Sequence, residues 1–308
     1  MNKRSQNQTE IERLRKNSFS TKRVTVRGLE KELYKSFNVL DHGFVRVVDY
    51  MGDDSSIVQA ARVSYGKGTK KLNQDKNLIN YLISHRHSTP FEMNEIKFHV
   101  KLPIFVARQW IRHRTANVNE YSARYSILEN EFYIPKNKDL KPQSIINNQG
   151  RSGKLQPREI KEYSKIIKDN SQLSFDNYAQ LLNEDETGKK LKEDKNGLAR
   201  ELARMTLPLN AYTQWYWKID LHNFMHFLSL RFDEHAQFEI RVYAEVMMNI
   251  MKKWVPLTYE AFLNNRLRGL TISENGVSYL KSLIHGKKPN SGKISKRELE
   301  KIKNIFNC

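Results

Sequence analysis

Residues 112–126 read RHRTANVNEYSARYS and bring three arginines, one histidine, one glutamate and two serines into a short stretch, with Arg108 just upstream. Arginine is permanently charged, and its planar fork binds phosphate oxygens in pairs, so clustered arginines form a cradle for phosphates. Glu120 inside this cluster is suited to accept hydrogen bonds from a sugar hydroxyl or a base edge. The alternative is a salt-bridged helix face, the usual explanation for a run of charges. The density of arginines favours a site for a small nucleotide.

Charge is concentrated at the two ends of the chain. The protein has 308 residues, a formal net charge of +19 and a pI near 9.8, which indicate an anionic partner. Residues 1–35 carry ten Lys or Arg against four Glu, and residues 281–308 carry eight against two. We expect both ends to be mobile or weakly helical, because they hold few large apolar residues. Total charge therefore does not by itself indicate nucleic-acid binding.

The cysteine count excludes several kinds of chemistry. The one cysteine is Cys308, so the sequence offers no disulfide framework, no cysteine metal site and no interior thiol nucleophile. No apolar run approaches the roughly 20 residues that span a bilayer, and the first residues lack the apolar stretch of a secretory signal. We therefore expect a cytoplasmic protein.

Hydrophobic periodicity predicts a mixed α/β domain. Ser55 or Ser56 is the expected cap of the first helix, and Pro103 is expected to open a helix that places Arg108 and Arg112 on one face. The elements predicted in the first half are a strand at 43–50, helices at 57–63 and 73–85, a strand at 96–101 and a helix at 104–114.

Residues 136–196 are polar and predict an insertion with one helix near Arg158 to Leu182, between mobile loops. The GRSGK motif within it lacks the spacing of a phosphate-binding loop and indicates a flexible turn. Further on, Leu198, Leu202 and Met205 recur at helical spacing. A longer apolar stripe is interpreted as core, and its members are Ala236, Ile240, Tyr243, Met247, Ile250 and Trp254.

Three motifs together resemble the flavin-dependent thymidylate synthase family. Arg112, His113 and Arg114 are followed by seven residues and then Ser122, which matches that family's hallmark. The other two motifs are HSTPFE at 87–92 and LSLRFDEHAQFEIR at 228–241. The resemblance covers roughly residues 40–265, interrupted by the insertion, and does not extend to the basic ends.

The resemblance implies a homotetramer with shared active sites, built from mixed helices and a small, largely antiparallel sheet. It implies methylation of dUMP to dTMP, with methylenetetrahydrofolate as carbon donor and NADPH as reductant through bound FAD. It divides the chain into a basic N-terminal extension (1–38), a catalytic domain (39–265, with the insertion at 136–196) and a basic C-terminal extension (266–308). A flavin supplies reducing equivalents and carries the one-carbon unit, which suits a chain without an interior cysteine.

Residue by residue, the resemblance implies a dUMP site. Arg231 is the expected catalytic residue, because a fixed guanidinium stabilises the pyrimidine as it loses its imide proton. Ser122 is a possible nucleophile, but the surrounding arginines make a poor base and a good phosphate clamp, so we assign it to binding. The expected dUMP contacts are Gln109, Trp110, Ile111, Arg112, Glu120, Tyr121, Ser122, Ala123, Arg124, Arg204 and Arg231.

The resemblance also implies a flavin site. Asp220 departs from the family pattern, which has Asn there and also at the position of His226. His222 and His226 are four residues apart, but no third ligand follows at zinc-enzyme spacing, so no metal is expected. The expected FAD contacts are Thr89, Arg112, His113, Arg114, Glu120, Asp220, Leu221, His222 and His226, with His87, Glu92 and His235 as further candidates.

A second hypothesis is a nucleic-acid-binding protein without redox activity. In that case the basic ends and the insertion would form a continuous groove with stacked aromatic side chains. Its affinity would weaken steeply as salt is added, whereas a buried nucleotide clamp would respond much less. The three motifs favour the enzyme, for which nucleic acid is not required, and the sequence leaves open that the basic ends bind polyanions as well.

Overall fold

The chain folds into two units of unequal size. The computed structural model describes residues 13, 16, 20–63, 72–145 and 150–306, without the side chains of 72–74. Contacts divide the chain into a larger unit, residues 1–261, and a smaller unit, residues 262–308. Cys308 lies outside the described residues.

The larger unit contains a five-stranded antiparallel sheet with the order β1-β2-β3-β5-β4. Its strands are β1 (Ser36–Val39), β2 (Gly43–Met51), β3 (Glu95–Pro103), β4 (Asn117–Glu120) and β5 (Tyr212–Asp220). The register aligns Val45 with Val100 and Val100 with Trp215, so alternate side chains form one buried face. The expected small antiparallel sheet is confirmed.

The helices of the larger unit pack against this sheet or against one another. In chain order they are α1 (Arg27–Glu30), α2 (Asp54–Val63), α3 (Leu72–Ser84), α4 (Thr89–Glu92), α5 (Ile104–Trp110), α6 (Pro157–Leu182), α7 (Arg200–Ala203), α8 (Leu221–Arg231), α9 (Phe238–Trp254) and α10 (Pro256–Phe262). None of the described helices is both long and apolar enough to traverse a bilayer.

Aromatic side chains link α5 and α8 to the sheet. Trp110 of α5 meets Trp215 and Trp217 of β5 edge to face, with ring centroids 5.7 and 5.2 Å apart. Phe227 of α8 packs against the same ring at 4.7 Å. These contacts hold the end of α5 and the middle of α8 against the sheet, and edge-to-face pairs of this kind are a favoured aromatic geometry.

The apolar stripe predicted at 236–254 lies on α9, and the prediction that it forms core is confirmed for its helical members. Ile240, Tyr243, Met247, Ile250 and Trp254 are all buried. Ala236 precedes the first residue of α9 and is only half-buried.

Three sequence predictions of local structure were wrong. The helix that follows Pro103 ends at Trp110, because that side chain enters the core and the chain then turns toward β4; Arg112 therefore lies beyond it. Asp53, not Ser55 or Ser56, caps α2: its carboxylate accepts from the Ser56 N–H at 2.9 Å.

The third error concerns residues 198–205. They form only the four-residue α7 and a 3₁₀ turn at Arg204–Thr206, and Leu198, Leu202 and Met205 are exposed. Their helical spacing does not correspond to a buried face.

The insertion contains the helix expected near Arg158 to Leu182, and α6 confirms it. Its buried residues Phe175, Tyr178 and Leu182 pack with Ala203 and Leu128. The helix ends at Asn183, which has a left-handed φ of 52°. The Asn183 amide donates to the carbonyls of Lys192 and Lys195 at 2.7 and 2.9 Å, and so holds the following loop together.

The smaller unit is a helical hairpin with its own small core. It contains a π-helix (Leu263–Leu267), α11 (Glu274–Ile284) and α12 (Lys296–Phe306). Tyr279, Ile294 and Ile302 are buried together between the two helices. Ser273 caps α11, and both its N–H and its hydroxyl donate to the Glu298 carboxylate of α12, at 2.7 and 2.9 Å.

Candidate active site

Arg231, the expected catalytic residue, lies at the end of α8 and is held by two contacts. Its Nε donates to Nε2 of His113 at 3.0 Å, and its Nη2 donates to the Gln109 carbonyl at 3.3 Å. His113 is buried, and its ring lies edge to face against Phe227 at 5.0 Å. The fold thus brings together Arg231, His113 and the backbone of Gln109, which we call the Arg231 cluster.

The protonation state of His113 supports this contact. Burial, together with the nearby Arg231 and His226, lowers the pKa of His113 to about 4. The imidazole is therefore neutral near pH 7 and offers a lone pair at Nε2 to the guanidinium. Burial also lowers the pKa of Arg231. Its ordinary pKa is so high that it keeps its charge near neutrality.

Stability should fall as the pH is lowered from about 6.5 to about 4. The pKa of both His99 and His113 is lowered from 6.5 to about 4, chiefly by burial. The unfolded chain therefore binds more protons than the folded protein in this window, and the free energy of unfolding decreases as acid is added. Urea unfolding of the flavin-free protein at several pH values measures the effect.

The control for this prediction is a histidine outside the core. His99→Gln with His113→Gln should lose less stability across the window than wild type. His285→Gln, at an exposed position, should retain the full slope. An unchanged slope in the double variant would show that other groups cause the acid sensitivity.

A separate open cavity of about 380 Å³ brings together several expected dUMP contacts. This volume lies within the roughly 300–1,000 Å³ typical of small-molecule pockets. Glu120, Tyr121, Ser122, Ala123 and Arg204 line it, and the rest of its wall is formed by Ile104, Leu128, Leu207, Pro208, Leu209 and Thr213.

Polar contacts position the groups of this cavity. The Thr213 hydroxyl donates to Glu120 Oε1 at 2.8 Å and fixes one carboxylate oxygen. Arg124 pairs with Glu201 at 3.2 Å, and Arg204 Nε donates to the Glu201 carbonyl at 3.3 Å. Two arginines thus converge on Glu201 beside the cavity, where each keeps donors for an anion.

Other expected dUMP contacts lie elsewhere. Gln109, Arg112, Arg124 and Arg231 are not among the residues that line this cavity in the described part of a single chain, although Arg124 directly follows the lining residue Ala123. The Trp110 side chain is fully buried in the core, whereas Ile111 is exposed. The fold therefore places five of the expected nucleotide contacts in the cavity wall and two, Gln109 and Arg231, in the Arg231 cluster.

The expected flavin contacts follow α8 and its neighbours. Asp220 caps α8: its carboxylate accepts from the Asn223 N–H at 2.9 Å and from the Asn223 side-chain amide at 2.6 Å. The Leu221 side chain is fully buried, and its N–H donates to the Asn94 carbonyl at 2.9 Å. Asp220 and Leu221 thus have structural roles in this chain, and their contact with flavin remains a prediction.

The remaining flavin candidates are accessible. Thr89 is exposed at the start of α4, which packs against α8. His226 of α8 lies with its ring 5.9 Å from that of His113, and His222 is half-buried one turn earlier. His87, Glu92 and His235 are each exposed or half-buried. Within the described residues, no group of three His, Cys, Asp or Glu side chains is arranged to hold a metal ion.

The free polar groups fit an anionic flavin nucleotide. Arg108, Arg112 and Arg114 are exposed, and none of them forms an ion pair with the described residues. Gln109 Oε1 is buried with no hydrogen-bond partner in the described chain, which is unusual for a native protein. Unpaired guanidinium groups suit a pyrophosphate, and a buried acceptor suits a base edge.

Sequence reasoning did not identify Thr213 or Glu201. Neither belongs to a recognisable motif, and Thr213 is 93 residues from Glu120 in the chain. The only signal is indirect: Thr213 lies in an aromatic strand, where a buried hydroxyl needs a hydrogen-bond partner.

Comparisons with known proteins decide the family. The family model described as thymidylate synthase complementing protein matches residues 46–257. The flavin-dependent thymidylate synthase of Rickettsia conorii is 59% identical over 290 residues, which cover 93% of this chain and 99% of that one. The chain belongs to the flavin-dependent thymidylate synthase family.

Further members of the flavin-dependent thymidylate synthase family agree with this. The Ruegeria pomeroyi protein of that name is 53% identical over 305 residues, or 98% of each chain. Among solved structures, the UMP/dUMP methylase PolB from Streptomyces cacaoi bound with 5-Br UMP aligns with a TM-score of 0.63 and 31% identity. That alignment covers 75% of this chain and 97% of PolB.

Proposed function

We propose that this chain converts dUMP to dTMP, with methylenetetrahydrofolate as carbon donor, NADPH as reductant and FAD as bound cofactor. The observation that supports it best is the cavity in which Glu120, Ser122 and Arg204 meet beside the Arg124–Glu201 pair. A cavity with two arginines at its edge and a fixed carboxylate inside matches a nucleoside monophosphate, which has one anionic end and one hydrogen-bonding end.

In this proposal, different residues of the cavity bind different parts of the nucleotide. Arg124 and Arg204 hold the phosphate, and the Ser122 hydroxyl adds a neutral donor to it. Glu120, fixed by Thr213 at 2.8 Å, accepts from the sugar or the base. Because one carboxylate oxygen is already bonded, the other is oriented before the substrate arrives, which lowers the entropy lost on binding.

FAD would be held by Arg112 and Arg114 at its phosphates, with Thr89, His222 and His226 along α4 and α8. When bound, it supplies the reducing equivalents that this chain lacks. Arg231 acts on the pyrimidine: its guanidinium stabilises the negative charge that develops when the imide proton leaves. The neutral His113 ring accepts a hydrogen bond from Arg231 at 3.0 Å and adds no second positive charge to the site.

The same proposal includes a homotetramer with shared sites. The cavity and the Arg231 cluster each hold only part of the expected nucleotide contacts. A neighbouring subunit that presents its Arg231 cluster to the cavity would complete the set. Symmetric assembly repeats such a contact at every site.

The visible absorption spectrum, followed by an assay, tests the proposed function. The purified protein should retain flavin absorbance after FAD is added and the excess removed. With dUMP, methylenetetrahydrofolate and NADPH all present, it should form dTMP. Flavin retention without dTMP would contradict the assigned reaction, and a protein that stays colourless after FAD addition would contradict the cofactor.

A further inference from the structure

The smaller unit carries a strong positive charge that the proposed reaction does not use. Residues 262–308 contain ten Lys or Arg against three Glu. The match to the family model ends at residue 257, before this unit begins. A charge of this density on a separate folded unit calls for a function of its own.

Eight of these cations lie on the α11–α12 hairpin and the loop between its helices. All eight are exposed, and none forms an ion pair with the described part of the chain. We call them the hairpin cations: Lys281, Lys287, Lys288, Lys293, Lys296, Arg297, Lys301 and Lys303.

The hairpin fixes these charges close together. Arg297 and Lys301 are four residues apart on α12, and Lys296 and Lys303 are seven apart, so each pair shares a side of the helix. Like charges four residues apart destabilise a helix. Of the two acids in this helix, Glu298 accepts hydrogen bonds from Ser273 of α11, which leaves the exposed Glu300 against four cations in α12. An external anion would relieve this repulsion.

The burial pattern of α12 favours nucleic acid over a lipid surface. A helix that lies in a membrane interface needs a free apolar face. In α12, Ile302 is fully buried and Leu299 packs against the core of the hairpin. Only Ile305 and Phe306, at the C-terminal end of the helix, remain exposed as apolar side chains, which is too few for a continuous apolar face. The exposed side is basic, as expected for a surface that binds a phosphate backbone.

We propose that the α11–α12 hairpin binds nucleic acid without sequence specificity, through phosphate contacts of the hairpin cations. This is a binding function in addition to the proposed reaction and independent of it. Its signature is salt dependence, since each cation that meets a phosphate releases a condensed counterion.

Fluorescence anisotropy with the full-length protein tests the proposal. The probes are a short labelled single-stranded RNA and a DNA duplex of the same sequence. The test variant combines Lys287→Gln, Lys288→Gln, Lys293→Gln, Lys296→Gln, Arg297→Gln and Lys301→Gln. The control removes the same number of exposed charges from the insertion by combining Lys154→Gln, Lys161→Gln, Lys165→Gln, Lys168→Gln, Lys192→Gln and Lys195→Gln.

Wild type should bind at least one probe, and its affinity should fall by roughly 10² or more between about 50 and 200 mM salt. The hairpin variant should bind at least about tenfold more weakly at low salt with a shallower salt slope, whereas the insertion control stays near wild type. dTMP formation should be unchanged in both variants. In wild type, the probe should also protect Lys293 and Lys296 from acetylation.

Three results would overturn the proposal. One is the absence of binding by wild type to either probe, and another is an equal loss in the insertion control. The third is binding to phosphatidylserine vesicles without binding to either oligonucleotide. A wild-type protein that forms no dTMP would contradict the proposed reaction alone, because the oligonucleotide assay needs no substrate or flavin.

Discussion

Replacing Arg231 with alanine should lower kcat by roughly 10² to 10³ while leaving flavin bound, as expected when one preorganised group that stabilises a developing anion is removed. The residue lies at the end of α8, held by His113 at 3.0 Å and by the Gln109 carbonyl at 3.3 Å. A guanidinium held in this way needs little reorganisation during the reaction. Rapid measurement of dTMP formation, with flavin absorbance recorded on the same sample, tests both parts.

Two matched variants make this experiment specific. Arg231→Lys keeps a charge but loses the planar fork, so it should recover only part of the activity. Arg158→Ala removes an exposed arginine from the insertion helix and should retain full activity. Full turnover in Arg231→Ala would remove this residue from the mechanism, and loss of flavin would move its role to cofactor binding.

Two inactive variants should restore activity when they assemble together. Arg204→Ala removes a group from the cavity, and Arg231→Ala removes one from the Arg231 cluster. If each site takes its cavity from one subunit and its cluster from another, random mixing leaves about one site in four with both intact groups. Co-expression with two affinity tags, purification through both tags and a dTMP assay measures the recovery.

The control for mixing is the Arg231→Ala variant carrying both tags, which should stay inactive in every assembly. If the mixed oligomer were as inactive as its parents, the cavity and the cluster would act within the same chain. The shared-site arrangement would then be wrong, while the assignment of the reaction would stand.

Several elements were readable from sequence because local pattern and tertiary packing agree there. The segment rich in Val and aromatic residues at 43–50 and the alternation at 96–101 match β2 and β3, which bury one face against the helices. The helical stripe in α9 is likewise buried along its length. The hallmark arginines and Ser122 were recognisable because their spacing is a motif in itself.

Other features depend on contacts that no local pattern records. β4 was not predicted, because a short polar edge strand shows little apolar alternation. The end of α5 at Trp110 reflects where that ring meets Trp215 and Trp217, residues more than a hundred positions later. The division of the expected nucleotide contacts between two places follows from the same long-range packing.

The loop closed by Asn183 offers a place to attach other proteins. Its base is tied by the Leu198 N–H, which donates to the Leu181 carbonyl at 2.6 Å, and by the bonds from Asn183 to Lys192 and Lys195. Its tip at Gly188 has open space around it. An insertion at an exposed loop tip leaves the hydrogen bonds at the base of the loop intact. A fluorescent domain inserted beside Gly188 would therefore report on the location and assembly of the protein without disturbing the fold around the candidate active site.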